Sequence, residues 1–288
     1  MAAFATLALI YSSYVAQSAV ALRVNDDALQ TEALITSGLE LVAYQLSAPA
    51  EDRRPTHGSF RFRMGSADVG VQFLSEAARI DLNMASKPLI AGLFAVLGAQ
   101  PQQAEYYADR VIGWRTRPKP TPQPNVQDDN EDSLYRTAGL GYYPRRAQFN
   151  HIGELWLVQG LPPGLVERAR SFVTVYSGMA EINVLEAPPE VIAALPNMTP
   201  ARLNAFLAQR ETLTADPQLV ADSLGNDQAG ATTNGSAAIR VHIRIRFDNA
   251  RQSGAEVVIT PGGAEVPYQV LSWQNDIDIS SGTAEGGG

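Results

Sequence analysis

The sequence predicts an α+β fold in which a long N-terminal helix packs on an antiparallel sheet. A large all-α domain, which contains two related helical units, is expected to be inserted into that sheet. Three observations predict this arrangement. Apolar residues recur at helical spacing from the start of the chain to about Ser47, strand-like segments flank a long helical stretch, and one short motif occurs twice within that stretch.

The first 22 residues carry no charged side chain, and Arg23 ends the run. A helix rises about 1.5 Å per residue, so this run spans about 33 Å, which is enough to cross the apolar core of a bilayer. We therefore expect a membrane or filament helix, and a buried helix is the alternative. Its expected apolar residues are Phe4, Leu7, Leu9, Ile10, Val15, Val20 and Leu22.

Beyond Arg23 the helical spacing continues on one face only. Acidic and amide residues fill the other face, and no proline interrupts the pattern until Pro49. The sequence therefore predicts one helix from near Met1 to about Ser47 whose second half is amphipathic. The apolar face of that half consists of Val24, Ala28, Ile35, Leu39, Val42 and Leu46.

Two groups of alternating residues predict the strands. Residues 59–63 and 69–73 alternate on either side of a Met-Gly-Ser turn and predict a β-hairpin. Residues 239–247 form the clearest strand pattern in the chain, and residues 255–260 and 268–273 supply two partners. A two-stranded piece cannot bury a face alone, so we expect one antiparallel sheet packed on the long helix.

These elements divide the chain into five predicted segments. They are an N-terminal membrane or filament helix over 1–48, the first part of a β domain over 49–75, an inserted helical domain over 76–235, the second part of the β domain over 236–279, and a disordered tail over 280–288. Within the insertion, helices are expected at 89–97, 104–114, 153–157, 163–173 and 200–210, and loops at 117–125 and 225–236.

The helical stretch contains one motif twice. Residues 80–85 read Ile-Asp-Leu-Asn-Met-Ala, and residues 182–187 read Ile-Asn-Val-Leu-Glu-Ala. Each copy leads through proline into a short helix, where proline suits the first turn. Asn83 and Asn183 are expected to act locally, in an Asx turn or a helix cap. The repeat indicates two related helical units rather than a single enzyme core.

Composition excludes several classes of function. Net charge is −8 and the pI is near 5.0, which disfavours a broad surface for nucleic acid because phosphate binding requires clustered Lys and Arg. The chain has no Cys, so it has no thiolate metal site. Its three histidines lack metal-ligand spacing, and no catalytic constellation is present. We expect a protein that is not an enzyme.

One predicted strand has a basic face. Arg240, His242, Arg244 and Arg246 alternate with apolar residues along 239–247. Two interpretations stay open. The face is either solvated, or it is a contact surface for an acidic partner or a lipid head group.

The repeated helical unit allows a second hypothesis, a membrane-tethered DNA-binding module. Helix-hairpin-helix modules hold phosphates at helix N-termini. Here the turn at 196–200 lacks glycine, and Arg202 and Arg210 are the only nearby cations. Nucleic acid is therefore not expected as a partner.

Short motifs occur in a fixed order along most of the chain. They are ARIDLN at 78–83, VIGW at 111–114, EDSLY at 131–135, FNHIGEL at 149–155, VQG at 158–160, EINV at 181–184 and APP at 187–189. Each motif is short, but the ordered set is specific. It resembles the K-type minor pseudopilins of type II secretion systems, the GspK family.

The resemblance implies a pilin-like fold and a structural role. Members of the family sit at the tip of the pseudopilus with the I- and J-type minor pseudopilins and promote its assembly for protein export across the outer membrane. The resemblance also implies contacts with other pseudopilins of the filament. A single N-terminal helix would lie in the bacterial inner membrane, with the globular part in the periplasm.

The acidic run at 128–132 is a candidate calcium site. Calcium binds six to eight oxygens supplied by flexible segments. The expected ligands are Asp128, Asp129, Glu131 and Asp132. Members of the family can bind calcium through acidic residues that follow the Trp of the VIGW helix, but here that place reads Arg115-Thr116-Arg117. A solvated acidic loop is the alternative.

Overall fold

The computed structural model describes residues 2–47, 54–117, 128–213, 216–225, 228–263 and 266–275. The chain divides into two compact units. We call residues 1–73 together with 240–288 the sheet unit, and residues 74–239 the helical unit. The predicted tail at 280–288 lies outside the described residues.

The helices and strands are numbered in chain order. The helices are α1 Ala2–Ser47, α2 Lys87–Val96, α3 Pro101–Arg115, α4 Asp128–Thr137, α5 Pro163–Ala169, α6 Pro189–Ala193, α7 Pro200–Gln209 and α8 Pro217–Leu224. The strands are β1 His57–Met64, β2 Ala67–Ser75, β3 Ile80–Asp81, β4 Val173–Thr174, β5 Ile182–Asn183, β6 Ala231–Thr232, β7 Ile239–Phe247, β8 Gln252–Pro261 and β9 Tyr268–Asn275.

The sheet unit contains a five-stranded sheet in the order β1-β2-β7-β8-β9. The pairs β1–β2 and β7–β8 are joined by tight turns, which only antiparallel neighbours allow. The β8–β9 pair is antiparallel with a bulge between Val258 and Ile259. The amide of Asp248, after β7, donates to the carbonyl of Ser66, before β2, so these two strands also run in opposite directions. The mixed helical and antiparallel-sheet architecture is therefore as predicted.

The second half of α1 packs on this sheet through one face. Leu34, Ile35, Leu39, Val42 and Leu46 are almost fully buried. Gly38 marks the closest approach, because a Cβ added there would lie 3.1 Å from the side chain of Ile243 and 3.2 Å from that of Val71. The sheet presents its apolar face here, which leaves the arginine-bearing face of β7 on the opposite side.

The helical unit has a single apolar core to which both copies of the repeated motif contribute. Each copy begins with a two-residue strand that pairs in parallel with a strand further along. β3 pairs with β4 through Ile80↔Val173, and β5 pairs with β6 through Ile182↔Ala231. The two motifs therefore enter helices from equivalent short ladders.

Several local predictions in the helical unit differ from the structure in helix type, in bounds or in element. Residues 152–157 form a 3₁₀ helix, and the helix expected over 163–173 ends at Ala169, where a 3₁₀ turn leads into β4. The acidic run, interpreted as loop, begins α4, and the described part of the loop expected at 225–236 contains β6. The helix α8 was not predicted.

Candidate functional site

The first copy of the repeated motif is organised by a buried carboxylate. One oxygen of Asp81 accepts the amide of Asn83 at 2.7 Å. Its other oxygen accepts the hydroxyl of Ser177 at 3.0 Å and the amide of Gly178 at 2.8 Å. Asp81 thus closes the turn that leads to α2 and fixes the chain that follows β4.

In the second copy Asn183 takes the place of Asp81. Its side-chain oxygen accepts the amide of Leu185 at 3.0 Å, and its Nδ2 donates to the carbonyl of Thr233 at 3.1 Å. The predicted Asx turn at Asn183 is confirmed. The neutral amide also explains why Asn suits this copy, since it must donate as well as accept.

The predicted local role of Asn83 was wrong. Its Nδ2 donates to the carbonyl of Phe149 at 3.0 Å, and its Oδ1 accepts the amide of Phe149 at 2.7 Å. Asn83 therefore pairs with a distant backbone segment as a strand neighbour would. Its sequence context carries no signal of this contact.

Each copy is also held by an arginine at the end of its second helix. Arg115 donates to the carbonyls of Leu82 and of Ala85, the latter at 2.7 Å. Arg210 donates to the carbonyl of Ala187, the residue equivalent to Ala85, at 2.8 Å. Arg115 stands where the family resemblance implies acidic residues, and Arg210 was considered as a DNA contact. The two arginines thus have the same structural role.

The motifs that carry the family resemblance converge around one aromatic group. The Trp114 ring lies 6.1 Å from the Tyr135 ring and 6.2 Å from the Phe149 ring, and its indole donates to Glu154 at 3.1 Å. The Tyr135 hydroxyl accepts the amide of Gln159 at 3.0 Å. Burial raises the pKa of Tyr135 to about 12. Four motifs that are separate in sequence therefore form one packed centre.

The described part of the acidic run is neutralised by arginine. Glu131 lies 2.6 Å from Arg110, and Asp132 lies 2.7 Å from Arg146. Gly113 leaves the space for Glu131, because a Cβ there would lie 2.7 Å from its carboxyl carbon. Burial raises the pKa of Glu131, and Arg110 and then Arg146 oppose that effect.

These contacts do not fit a calcium site, as far as the described side chains extend. No group of three or more metal-binding side chains occurs among the described residues. Glu131 and Asp132 each already face a guanidinium, which repels a second cation. The side chains of Asp128 and Asp129 lie outside the described residues, so the structure does not test whether these two residues bind calcium.

The predicted membrane or filament residues all fall on α1, but their side chains lie outside the described residues. This set is Phe4, Leu7, Leu9, Ile10, Val15, Val20 and Leu22. Within the part of the chain that is described, no helix combines the length and the apolarity needed to cross a membrane.

The basic face of β7 is only partly solvated. Arg240 is 5% exposed and pairs with Glu256 on β8. His242 lies 3.5 Å from the same carboxylate. The interpretation of Arg240 as solvated is therefore wrong, whereas the side chain of His242 is 33% exposed and Arg244 and Arg246 are exposed.

Comparisons with known proteins agree with this fold. Residues 72–178 match the family model described as type II secretion system (T2SS), protein K. The structure is similar to a chain in the crystal structure of the GspK-GspI-GspJ complex from the type 2 secretion system of enterotoxigenic Escherichia coli. The TM-score is 0.60 at 17% sequence identity, over 88% of this chain and 99% of that chain. No curated protein sequence matches.

The structural likeness, at this identity, establishes the fold. The family match covers a segment that contains five of the seven resemblance motifs in full. Residues 72–178 are thus similar to the type II secretion system protein K family, the family that the ordered motifs of the chain predicted.

Proposed function

We propose that this chain is a K-type minor pseudopilin, a non-enzymatic subunit that caps the tip of a type II secretion pseudopilus and promotes its assembly. The proposal rests on the agreement between two comparisons. The family match and the fold likeness over nearly the full length of both chains point to the same subunit. The similar chain belongs to a crystal structure of the GspK-GspI-GspJ complex, which supports I- and J-type minor pseudopilins as the partners of this chain.

The proposed mechanism is geometric. The long helix α1 joins the bundle formed by the helices of other pseudopilins of the filament. The helical unit lies between β2 and β7 in the sequence and contains more residues than the sheet unit. Such bulk blocks the addition of a further subunit, so the chain ends the filament.

The exposed side of α1 supports a contact with neighbouring helices. Leu29, Leu41 and Tyr44 are 57%, 41% and 72% exposed, although the opposite face of the helix is buried on the sheet. Apolar side chains on a helix face that its own sheet does not cover are available to a partner. We propose that the I- and J-type subunits cover this side.

The uncharged run at residues 1–22 supports the proposed location. We infer that it anchors the chain in the bacterial inner membrane, with the rest of the chain in the periplasm. Fractionation of cells that express the full chain tests this location. Release of the protein into the soluble periplasmic fraction without detergent would contradict the anchor.

Co-elution with the partners tests the assembly role. Residues 25–288 are mixed with the ectodomains of the cognate I- and J-type subunits and separated by size exclusion. We expect a single ternary peak. Three separate peaks, with each protein shown to be folded by circular dichroism, would contradict the proposal.

A matched pair of double variants tests whether α1 contacts the I- and J-type subunits. Leu41→Ser with Tyr44→Ser alters α1, whereas Leu219→Ser with Tyr143→Ser alters residues of the helical unit that are 50% and 55% exposed. The α1 variant should lose the ternary peak and the control should keep it. If both variants retained the ternary peak equally, the interface would lie elsewhere on the chain.

A further inference from the structure

The outer face of the sheet unit, opposite α1, contains an open groove of about 970 Å³. Residues of β1, β2 and β7 line it, together with Gln252 of β8. This volume lies at the upper end of the range of about 300–1,000 Å³ found for ligand pockets. We call it the arginine groove, after Arg61, Arg244 and Arg246.

A glycine forms the floor of the arginine groove. The two-residue turn Gly65-Ser66 places Met64 opposite Ala67, and the same register sets Arg63 against Asp68, as observed at 3.2 Å. This register also places Arg61 opposite Gly70. A Cβ at Gly70 would have the carbonyl oxygen of Arg244 as its nearest neighbour, at 3.9 Å. The middle strand therefore presents a bare position between the strands that bear Arg61 and Arg244.

The arginines on this face divide into two classes. Arg63 is held by Asp248 at 2.8 Å and by Asp68 at 3.2 Å, and Arg240 is held by Glu256. In contrast, Arg61, Arg244 and Arg246 are exposed and have no ion pair with a carboxylate of the described residues. Within the part of the chain that the structure describes, three arginines without an ion pair thus lie around one groove, in a chain whose net charge is −8.

We propose that the arginine groove is a docking site for an extended acidic segment of a partner protein, whose carboxylates pair with Arg61, Arg244 and Arg246. A guanidinium binds a carboxylate through two parallel hydrogen bonds, which favours this ligand chemistry. The groove is open and runs across three strands, so it fits an extended chain better than an enclosed small molecule. Among the described strands, β1 lies at the edge of the sheet, and a sheet edge is a place where an extended segment can add backbone hydrogen bonds.

Charge argues against a polynucleotide in the same place. Nucleic-acid surfaces rely on many phosphate contacts and on a basic domain. Here only three arginines lack a carboxylate partner among the described residues of the groove, and Asp68, Asp248 and Glu256 lie on the same face. A short segment with a few carboxylates matches this mixture of charges.

Binding of a defined acidic peptide tests the proposal. The probe is a fluorescein-labelled peptide of about ten glutamates, titrated with the full chain in detergent and followed by fluorescence anisotropy. A peptide of equal length with serine in place of glutamate is the neutral control. We expect saturable binding of the glutamate peptide alone, and weaker binding when sodium chloride rises from about 50 to 300 mM.

Two triple variants with the same net charge separate the groove from general electrostatics. The groove variant is Arg61→Gln, Arg244→Gln and Arg246→Gln. The control is Arg117→Gln, Arg136→Gln and Arg202→Gln, three exposed arginines of the helical unit. Three exposed ion pairs together support a loss of roughly tenfold in affinity for the groove variant, with the control unchanged.

Several results would overturn the proposal. They are no saturable binding by the wild-type chain, equal losses in the two variants, or a groove variant that keeps peptide binding but loses binding to vesicles of anionic lipid. The last result would assign the groove to a lipid surface. The proposal does not depend on the pseudopilin role, so its failure would leave the ternary-complex test unaffected.

Discussion

At the scale of single residues, the Tyr135 hydroxyl is the best-defined polar contact in the aromatic centre. It is fully buried and accepts the amide of Gln159. Tyr135→Phe keeps the ring but leaves that amide without its acceptor, so we expect the free energy of unfolding to fall by about 1 kcal/mol. Urea denaturation followed by circular dichroism measures it. Tyr143→Phe is the control, because Tyr143 is 55% exposed, and equal effects would contradict the role of this hydrogen bond.

The same hydroxyl makes stability depend on alkaline pH. The folded-state pKa of Tyr135 is raised from 10.0 to about 12. Below pH 10 the group is protonated in both states, and its contribution is fully present. Between pH 10 and 12 only the unfolded chain releases the proton, which favours unfolding. The difference in unfolding free energy between wild type and Tyr135→Phe should therefore shrink from pH 8 to pH 10.5. A difference that stays constant or widens would contradict the shifted pKa.

The acidic run allows a decisive test with calcium. A ligand that binds only the folded state stabilises it by about 2.7 kcal/mol at one hundred times its dissociation constant. We expect no such gain, because Arg110 and Arg146 already pair with Glu131 and Asp132. Melting curves of the full chain in millimolar calcium and in EDTA should coincide. A rise of several degrees in calcium would show that Asp128 and Asp129 complete a site.

At the scale of elements, α2 and α6 approach each other at one glycine. A Cβ added to Gly92 of α2 would collide with the carbonyl oxygen of Ala194, the residue after α6. Relief requires a backbone shift, so Gly92→Ala should lower the unfolding free energy by about 1–3 kcal/mol. Thermal denaturation of Gly92→Ala is compared with that of Gly141→Ala, a position where the added Cβ meets nothing within 4 Å. Equal stability of the two variants would show that α2 and α6 can move apart without a loss of unfolding free energy.

Elements whose ends carry local signals could be predicted from sequence, including two that were missed. The helix α8 begins with Asp216, whose carboxylate accepts the amides of Gln218 and Leu219, and it ends at Gly225 with φ +91°. Both are standard helix boundaries. The acidic first turn of α4 likewise favours a helix N-terminus, but it was interpreted as a metal-binding loop.

Contacts between distant segments could not be predicted in this way. The pairing of Asn83 with Phe149 and the convergence of Trp114, Tyr135 and Glu154 depend on the path of the chain in three dimensions. The repeated motif predicted an Asx turn at Asn183, which is confirmed, and one at Asn83, whereas the structure has the equivalent turn at Asp81. It did not predict the arginines at 115 and 210 that hold those turns, because they lie one or more helices away.

At the scale of the whole molecule, hydrogen bonds join the two ends of the helical unit to each other. The amide of Glu76 donates to the carbonyl of Ala238 at 2.9 Å. The amide of Ser236 donates to the hydroxyl of Ser75, also at 2.9 Å. A segment whose ends meet can be inserted between two strands at a modest entropic cost. The chain therefore leaves β2 and returns to β7 at neighbouring points.

Because the helical unit has its own core and closed ends, we expect residues 74–239 to fold without the rest of the chain. Both copies of the repeated motif contribute to that core, including Ile80, Leu89, Ile182 and Val191. The segment that matches the protein K family, residues 72–178, contains only the first copy. It should therefore lose the contacts of α2 with α6 and be much less stable. Urea denaturation of the two fragments measures the difference, and we expect a cooperative transition for 74–239 and a broad or absent one for 72–178. Equal cooperativity in both would show that each copy is an independent domain, and an unfolded 74–239 would show that the helical unit depends on the sheet.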